Sequence, residues 1–386
     1  IGTGDWSSDV CSSDLFLLCC IFVPVLLAEI CIRSSLFNIY IIPFAIVPIV
    51  VRTFFDSRTA LFTHLVTVLI CSIIAPFPHE FLILQVIAGM VVTYSLKELS
   101  QRSQLMHCAL FVFLSYTLSY LGLVLYQDAD INKIHWPMIL YFGINFVLLM
   151  FTYVLVYMLE KTFGYLSPIT LVELSNINTG VLKKLSENCP GTFQHSLQVS
   201  ILASAAASKI GANAQLVRTG AMYHDIGKMS NPIYFTENQN GINPHSSLSF
   251  EDSAKVIISH VTEGVKIAEK ASLPKEIIDF IRTHHGHGKA KYFYNSYRNK
   301  YPDKPVDESI FTYPGPNPFT KETAIVMMAD AVEASSRSLK EHTEEGITEL
   351  VNKIIDGQIA DGLFKNAPLT FKDVENIKKV FIEKLK

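Results

Sequence analysis

His224 and Asp225, within Tyr223-His224-Asp225-Ile226-Gly227-Lys228, put an imidazole and a carboxylate on adjacent residues, so that they can ligate metal ions together, and the carboxylate has two oxygens with which to bridge two ions. Everything downstream reads as completion of that pair: His195 stands upstream in Thr192-Phe193-Gln194-His195-Ser196, and His260, the doublet His284-His285 and Asp330 follow. A lone histidine on an amphipathic helix is usually surface or satisfied core, but five histidines and two aspartates, each in a segment with helical apolar spacing, make a binuclear ligand set. Neutral imidazoles with a minority of carboxylates favour first-row transition metals, iron or manganese, over magnesium or calcium, and the lack of thiolates argues against structural zinc. Two divalent ions a few ångströms apart generate hydroxide near neutral pH and clamp the attacking and leaving oxygens of a phosphoryl displacement. Two cations are candidates for the phosphate. Lys228 follows the doublet by one short turn, and Arg337 lies seven residues beyond Asp330 on the same helical face. Structural ion pairing is the competing role for both.

The elements that must carry these residues read as helices. A helix capped by Thr192 runs to about Lys209, with Ala203, Ala205, Ala206 and Ala207 permitting close packing around His195. The next starts near Asn213 and delivers His224-Asp225 at its C-terminal end, with Gly227 as its stop; a third, Phe250 to Lys270, carries His260; a fourth opens at Pro274 and ends in His284-His285-Gly286. The segment Gly286 to Phe319 reads as a long loop, in which Tyr292, Phe293, Tyr294 and Tyr297 either wall a substrate site or pack the loop down.

Before Lys161 the chain changes character. Hydrophobic residues are 49% of its 386 residues and charged residues 17%, with the apolar excess concentrated in the first half. Six apolar stretches, about 16–32, 36–55, 59–75, 80–96, 105–126 and 136–159, each approach the length a helix needs to cross a bilayer. Arg52, Arg58, Lys97, Arg102 and Lys161 flank one side of these spans, whereas the alternate loops hold Arg33 and Lys133, so the domain after Lys161 is expected in the cytosol. His64, Gln85 and Asn145 read as interhelical hydrogen-bonding groups, since no span carries an interior charge cluster of the kind that marks an ion path. The cysteines form neither a disulfide framework nor a zinc spacing.

The expected fold is therefore all-α, a multi-span transmembrane helical domain (16–160), a linker helix (161–188) and a cytoplasmic helical domain (189–386). In the linker, Leu171, Leu174, Ile177, Val181, Leu182 and Leu185 form an apolar stripe that either pairs with a second copy, giving a homodimer, or packs on the domain. Residues 1–15 stand apart: Gly4 to Leu15 has no apolar periodicity and resembles a translated sequencing adapter, so it is expected not to be native.

The order His195, His224-Asp225, His260, His284-His285, Asp330 resembles the HD-type metal-dependent phosphohydrolases, and the words PGTFQHSLQVS, YHDIGKMSNPIYFTENQ, DFIRTHHGHG, YPGPNP and KETAIVMMADAVEASSRSL resemble their seven-transmembrane branch of cyclic di-AMP phosphodiesterases. The likeness covers about residues 160–386 closely and the membrane block more loosely. It implies that His195, His224, Asp225 and Asp330 hold one metal and Asp225, His260, His284 and His285 the other, with catalytic roles for Asp225 and Lys228. It also implies a bacterial cell-membrane location, a further span and an extracytoplasmic domain upstream, and hydrolysis of cyclic di-AMP to linear 5′-pApA. A net charge of −3 offers no field for polymeric nucleic acid and suits a small cyclic dinucleotide. Two other readings stay open, a nucleotide or (p)ppGpp phosphohydrolase of the wider HD class and a non-catalytic nucleotide receptor.

Overall fold

A computed structural model describes every residue except 1–5, 35, 36, 97–101, 240, 242, 340 and 342. Of the sequence readings, the Gly4-Asp5 start of the adapter-like run and the topogenic Lys97 lie outside the described residues, as does the side chain of Arg102. The chain forms two compact units, Ile1–Thr170 and Leu171–Lys386. Both are built from helices, and the β pairing among the described residues is one isolated antiparallel bridge, Lys289 to Thr312.

The first unit contains α1 (Trp6–Ser34), α2 (Ile46–Phe54), α3 (Ser57–Ile74), α4 (Pro78–Ser95), α5 (Arg102–Asp128), α6 (Trp136–Met150) and α7 (Thr152–Phe163). Three helices among the described residues are long and apolar enough to cross a membrane, Ser13–Ser34, Ser57–Ile74 and Ser103–Asp128, and α6 with α7, bent by 42°, makes a fourth. The six expected spans are thus not all continuous helices. In the second stretch Asn38 caps a short 3-10 turn and Pro43 interrupts the backbone, leaving α2 with nine residues, about 14 Å of helix. In the fourth, α4 has 18 residues but opens on Pro78-His79-Glu80 and carries Gln85. The helix of the first span runs back to Trp6, through most of the adapter-like run.

The polar residues of this unit do bond between helices. The Tyr116 hydroxyl donates to Gln85 Oε1 at 2.6 Å, His64 Nε2 lies 2.9 Å from the Gln85 carbonyl, and Asn145 Nδ2 donates to the Ile42 carbonyl at 3.1 Å. Gly89 leaves room for His64, since a Cβ there would lie 2.1 Å from the imidazole ring.

Three helices replace the expected linker helix. α7 stops at Gly164 (φ +70°), α8 spans Pro168–Leu174, and α9 spans Gly180–Asn188 after a turn in which the Asn176 side chain accepts from the Asn178 amide. Glycine and asparagine turn chemistry overrides the apolar repeat here. Leu182 and Leu185, part of the stripe proposed to pair with a second copy, are fully buried within this chain.

The second unit continues with α10 (Pro190–Ile210), α11 (Ala214–Tyr223), α12 (Phe250–Lys270), α13 (Lys275–Thr283), α14 (Lys291–Lys300), α15 (Lys321–Ser336), α16 (Glu344–Ala360) and α17 (Phe371–Leu385). Its main core joins α10, α11, α15, α16 and α17, and small residues (Ala203, Ala206, Ala207, Ala221, Ala324, Ala329) let their axes approach closely. Asn213 caps α11 by accepting from the Leu216 amide, and Ser249 caps α12 through the Asp252 amide. Three local expectations change. α10 begins at Pro190, so Thr192 sits inside the first turn, where its hydroxyl donates to Glu237 at 3.0 Å. Gly227 does not stop α11, which ends at Tyr223; it lies against α12 at a distance that admits no side chain. The long loop contains α14, whose Phe293, Tyr294 and Tyr297 pack with Phe311 and Ala254, so three of the four aromatics serve packing and Tyr292 is exposed.

Candidate metal centre

Each histidine reaches the centre from a helix end or the helix face turned toward Asp225. Nδ1 of His224, His260 and His284 lies 2.6, 2.6 and 2.8 Å from the carbonyls of Ala221, Ile257 and Ile281, each three residues back on its own helix. A carbonyl can only accept, so each Nδ1 carries a proton and each Nε2 is turned inward as the ligating atom.

Around them Asp225 is divided. Its Oδ2 is 3.2 Å from His224 Nε2 and 3.6 Å from His195 Nε2, while its Oδ1 is 3.4 Å from His260 Nε2 and 3.6 Å from His284 Nε2. Asp330 Oδ1 closes the first group, 2.9 Å from His195 Nε2 and 3.6 Å from His224 Nε2. The potential ligand atoms of His195, His224, Asp225 and Asp330 all lie within 4.8 Å of one another, and so do those of His260, His284 and His285. All seven predicted ligands therefore come together, in two groups that meet at Asp225.

The centre fits cations. Oδ1 of Asp225 and Nε2 of His224 are buried without a hydrogen-bond partner, an arrangement that is costly unless a ligand completes it, and Oδ2 of Asp225 has the Lys228 ammonium at 2.8 Å. His260 Nε2 and His284 Nε2 face each other at 3.0 Å, as two lone pairs do around a shared ion. Burial works against charge on His224, but Asp225 and then Asp330 outweigh it and push the imidazole up to about 10, so the two carboxylates favour positive charge at that point. Burial holds His260 and His284 below the ordinary histidine range, and His285 goes down to about 3 for the same reason, keeping them neutral as a metal requires. Asp225 and Asp330 stay ionised: burial raises each, and the neighbouring His224 and Lys228, or His195 and His224, reverse it.

Lys228 reaches the centre, but its ammonium is already engaged, 2.8 Å from both Asp225 Oδ2 and Glu237 Oε1. Arg337 lies farther out and donates from Nε and Nη2 to Glu333 Oε1 at 2.9 and 2.6 Å. Both line a cavity of about 980 Å³ that opens from the metal groups toward Lys289, Lys291 and Lys353. Sequence reasoning missed Glu237, Glu333 and Tyr313, whose ring lies over His285 with centroids 4.2 Å apart. The signal for Glu333 was its place one turn after Asp330 on a ligand-bearing helix, whereas nothing local marks Glu237 or Tyr313.

Two family profiles match in succession, one described as a 7TM receptor with intracellular HD hydrolase over residues 7–167 and one as an HD domain over 192–335. The chain belongs to the seven-transmembrane HD family. It is 35% identical over 356 residues to the cyclic-di-AMP phosphodiesterase PgpH of Bacillus subtilis, covering 90% of this chain and 50% of that protein. With the PgpH of Listeria monocytogenes it shares 35% identity over 353 residues, 90% of this chain and 49% of that protein. The chain thus spans about half the length of the curated relatives it matches. Among solved structures, the HD domain of the Listeria protein in complex with cyclic-di-AMP is 44% identical, with a TM-score of 0.51, covering 53% of this chain and 94% of that one. The HD fold and the two groups, one of His and Asp and one of three His, agree on divalent-metal binding, and the apolar helices with the first profile identify a membrane protein.

Proposed function

We propose that this chain is a membrane-anchored phosphodiesterase that hydrolyses cyclic di-AMP to linear 5′-pApA, with two manganese or iron ions at the centre. The observation that carries the reading is Asp225, whose two oxygens face two separate groups of ligands. When bound, the ions supply a hydroxide near neutral pH and neutralise charge on the phosphoryl oxygens. The chain's own residues do the rest. His195, His224 and Asp330 hold one side, His260, His284 and His285 the other, and Asp225 sets the distance between them. Lys228, kept cationic by Asp225 and Glu237, adds positive charge at the same edge of the cavity. The cavity volume of about 980 Å³ accommodates a dinucleotide beside the centre. The relatives named cyclic-di-AMP phosphodiesterase, and the related HD domain seen with cyclic-di-AMP, support this substrate.

The purified 386-residue chain in detergent with Mn²⁺ should convert cyclic di-AMP to 5′-pApA faster than it consumes cyclic di-GMP or ppGpp, as read by chromatography of the products. Faster loss of ppGpp would favour the wider nucleotide hydrolase reading, and tight binding without turnover would make the chain a receptor.

The same proposal places the catalytic unit in the cytoplasm of a bacterial cell, behind its inner membrane. A reporter active only in the cytosol should then work when fused after Lys161 and fail when inserted between Asp128 and Lys133, and the reverse pattern would put the centre outside.

Lys228→Ala should keep both ions by elemental analysis while weakening substrate binding and slowing turnover by about a hundredfold. Loss of metal from that variant would show that the lysine supports Asp225 and does not act on phosphate.

A further inference from the structure

Nδ1 of His224, His260 and His284 rests on a neutral backbone carbonyl, whereas Nδ1 of His195 rests on a carboxylate. Its Nδ1 lies 2.5 Å from Glu333 Oε2, and both side chains are buried. Glu333 follows Asp330 by one turn of α15, so the same helical face presents one carboxylate to each edge of the ring: Asp330 Oδ1 at Nε2 and Glu333 Oε2 at Nδ1. The second oxygen of Glu333 accepts both hydrogen bonds from Arg337, which fixes its rotamer.

A carboxylate accepting the Nδ1 proton gives the imidazole more anionic character and makes its Nε2 a stronger donor to a metal than a carbonyl-backed histidine. The two halves of the centre also differ in charge. The group containing His195 has Asp330 Oδ1 2.9 Å from His195 Nε2 together with Oδ2 of Asp225, and the group of His260, His284 and His285 has three imidazoles, Oδ1 of Asp225 and, farther off, Asp330 Oδ2 at 3.9 Å from His285 Nδ1.

We propose that the two metal positions are unequal by construction: the position at His195, His224, Asp225 and Asp330 fills first and holds its ion more tightly, and Glu333 is the positioning residue that sets its affinity through His195. This inference rests on the binuclear reading above.

The test is a calorimetric titration of Mn²⁺ into the metal-free 386-residue chain in detergent, which reads binding and not turnover. The wild type should show two steps separated by at least about tenfold. Glu333→Gln, which keeps the shape and removes the charge, should weaken the tighter step by about 10- to 100-fold and leave the weaker step in place; that retained step also shows that the variant is folded. Glu333→Asp should recover part of the loss, and Arg337→Ala should weaken the same step by a smaller factor. His195→Ala, which removes the ligand itself, should abolish that step. Two equal steps in the wild type, or an unchanged tighter step in Glu333→Gln alongside its loss in His195→Ala, would overturn the inference while leaving the binuclear centre intact. Uptake of fewer than two ions by the wild type would overturn the binuclear reading itself, and the inference with it.

Discussion

Under the proposed function, Asp225→Ala is expected to emerge from purification without either ion and to turn over cyclic di-AMP at least about 10⁴-fold more slowly than the wild type, a loss of about 5.5 kcal/mol of transition-state stabilisation. Asp225 has the longest reach because its two oxygens lie 3.2 and 3.4 Å from a histidine of each group, whereas Asp330, with Oδ1 2.9 Å from His195 Nε2, keeps its Oδ2 3.9 Å from His285 Nδ1. His260→Ala supplies the contrast. It removes a ligand from one group, so it should keep about one ion per chain and still lose several factors of ten in rate, since a single ion cannot clamp both the attacking and the leaving oxygen. Elemental analysis beside a turnover assay decides between them. A two-metal, active Asp225→Ala protein would end the binuclear account.

The second large effect is one of backbone proximity. A Cβ on Gly227 would lie 1.8 Å from the carbonyl oxygen of His260 and 2.5 Å from the amide nitrogen of Gly264. These are backbone atoms of α12, with no flexible side chain to yield, so Gly227→Ala must push the turn carrying Asp225 and Lys228 away from the helix carrying His260. We expect a loss of about 3 kcal/mol, at the upper end for overpacking, and a melting temperature lower by roughly 10 °C. The same displacement should loosen the ion nearest His260. Gly357→Ala is the control: it sits within α16 with nothing near its Cβ position, so the change should be neutral or stabilising by up to about 1 kcal/mol. Equal melting temperatures for the two variants would refute the close-contact argument.

Much of the metal-bearing unit was legible in the chain because strong local signals agree there. Asn213, Phe250 and Pro274 mark helix starts that the structure shares to within a residue or so, and the periodic segments between them carry the ligands. The illegible parts are those where a non-local partner decides. α14 lies in a segment rich in Tyr, Lys and Asn that looks like a loop, and it is held by the contacts of Phe293, Tyr294 and Tyr297 with Phe311 and α12. Thr192 resembles a cap because its type fits, yet Pro190 starts the helix one turn earlier and Glu237, 45 residues away, takes the hydroxyl. In the membrane unit, apolar runs coincide with helices, but length alone did not separate a straight span from the 3-10 turn and short helix around Pro43 or from the bend between α6 and α7.

Tyr313 lies over His285, the one ligand side chain of the seven that keeps an appreciable exposed edge, 29% against 10% or less for its neighbours across Asp330. The centre is therefore most open at His285, although His195, Asp225 and Asp330 border the same cavity. Exchange is expected to be directional: a chelator, or a phosphate arriving through the cavity, should meet the His285 side first, and an ion bound beside it should be the kinetically labile one of the pair.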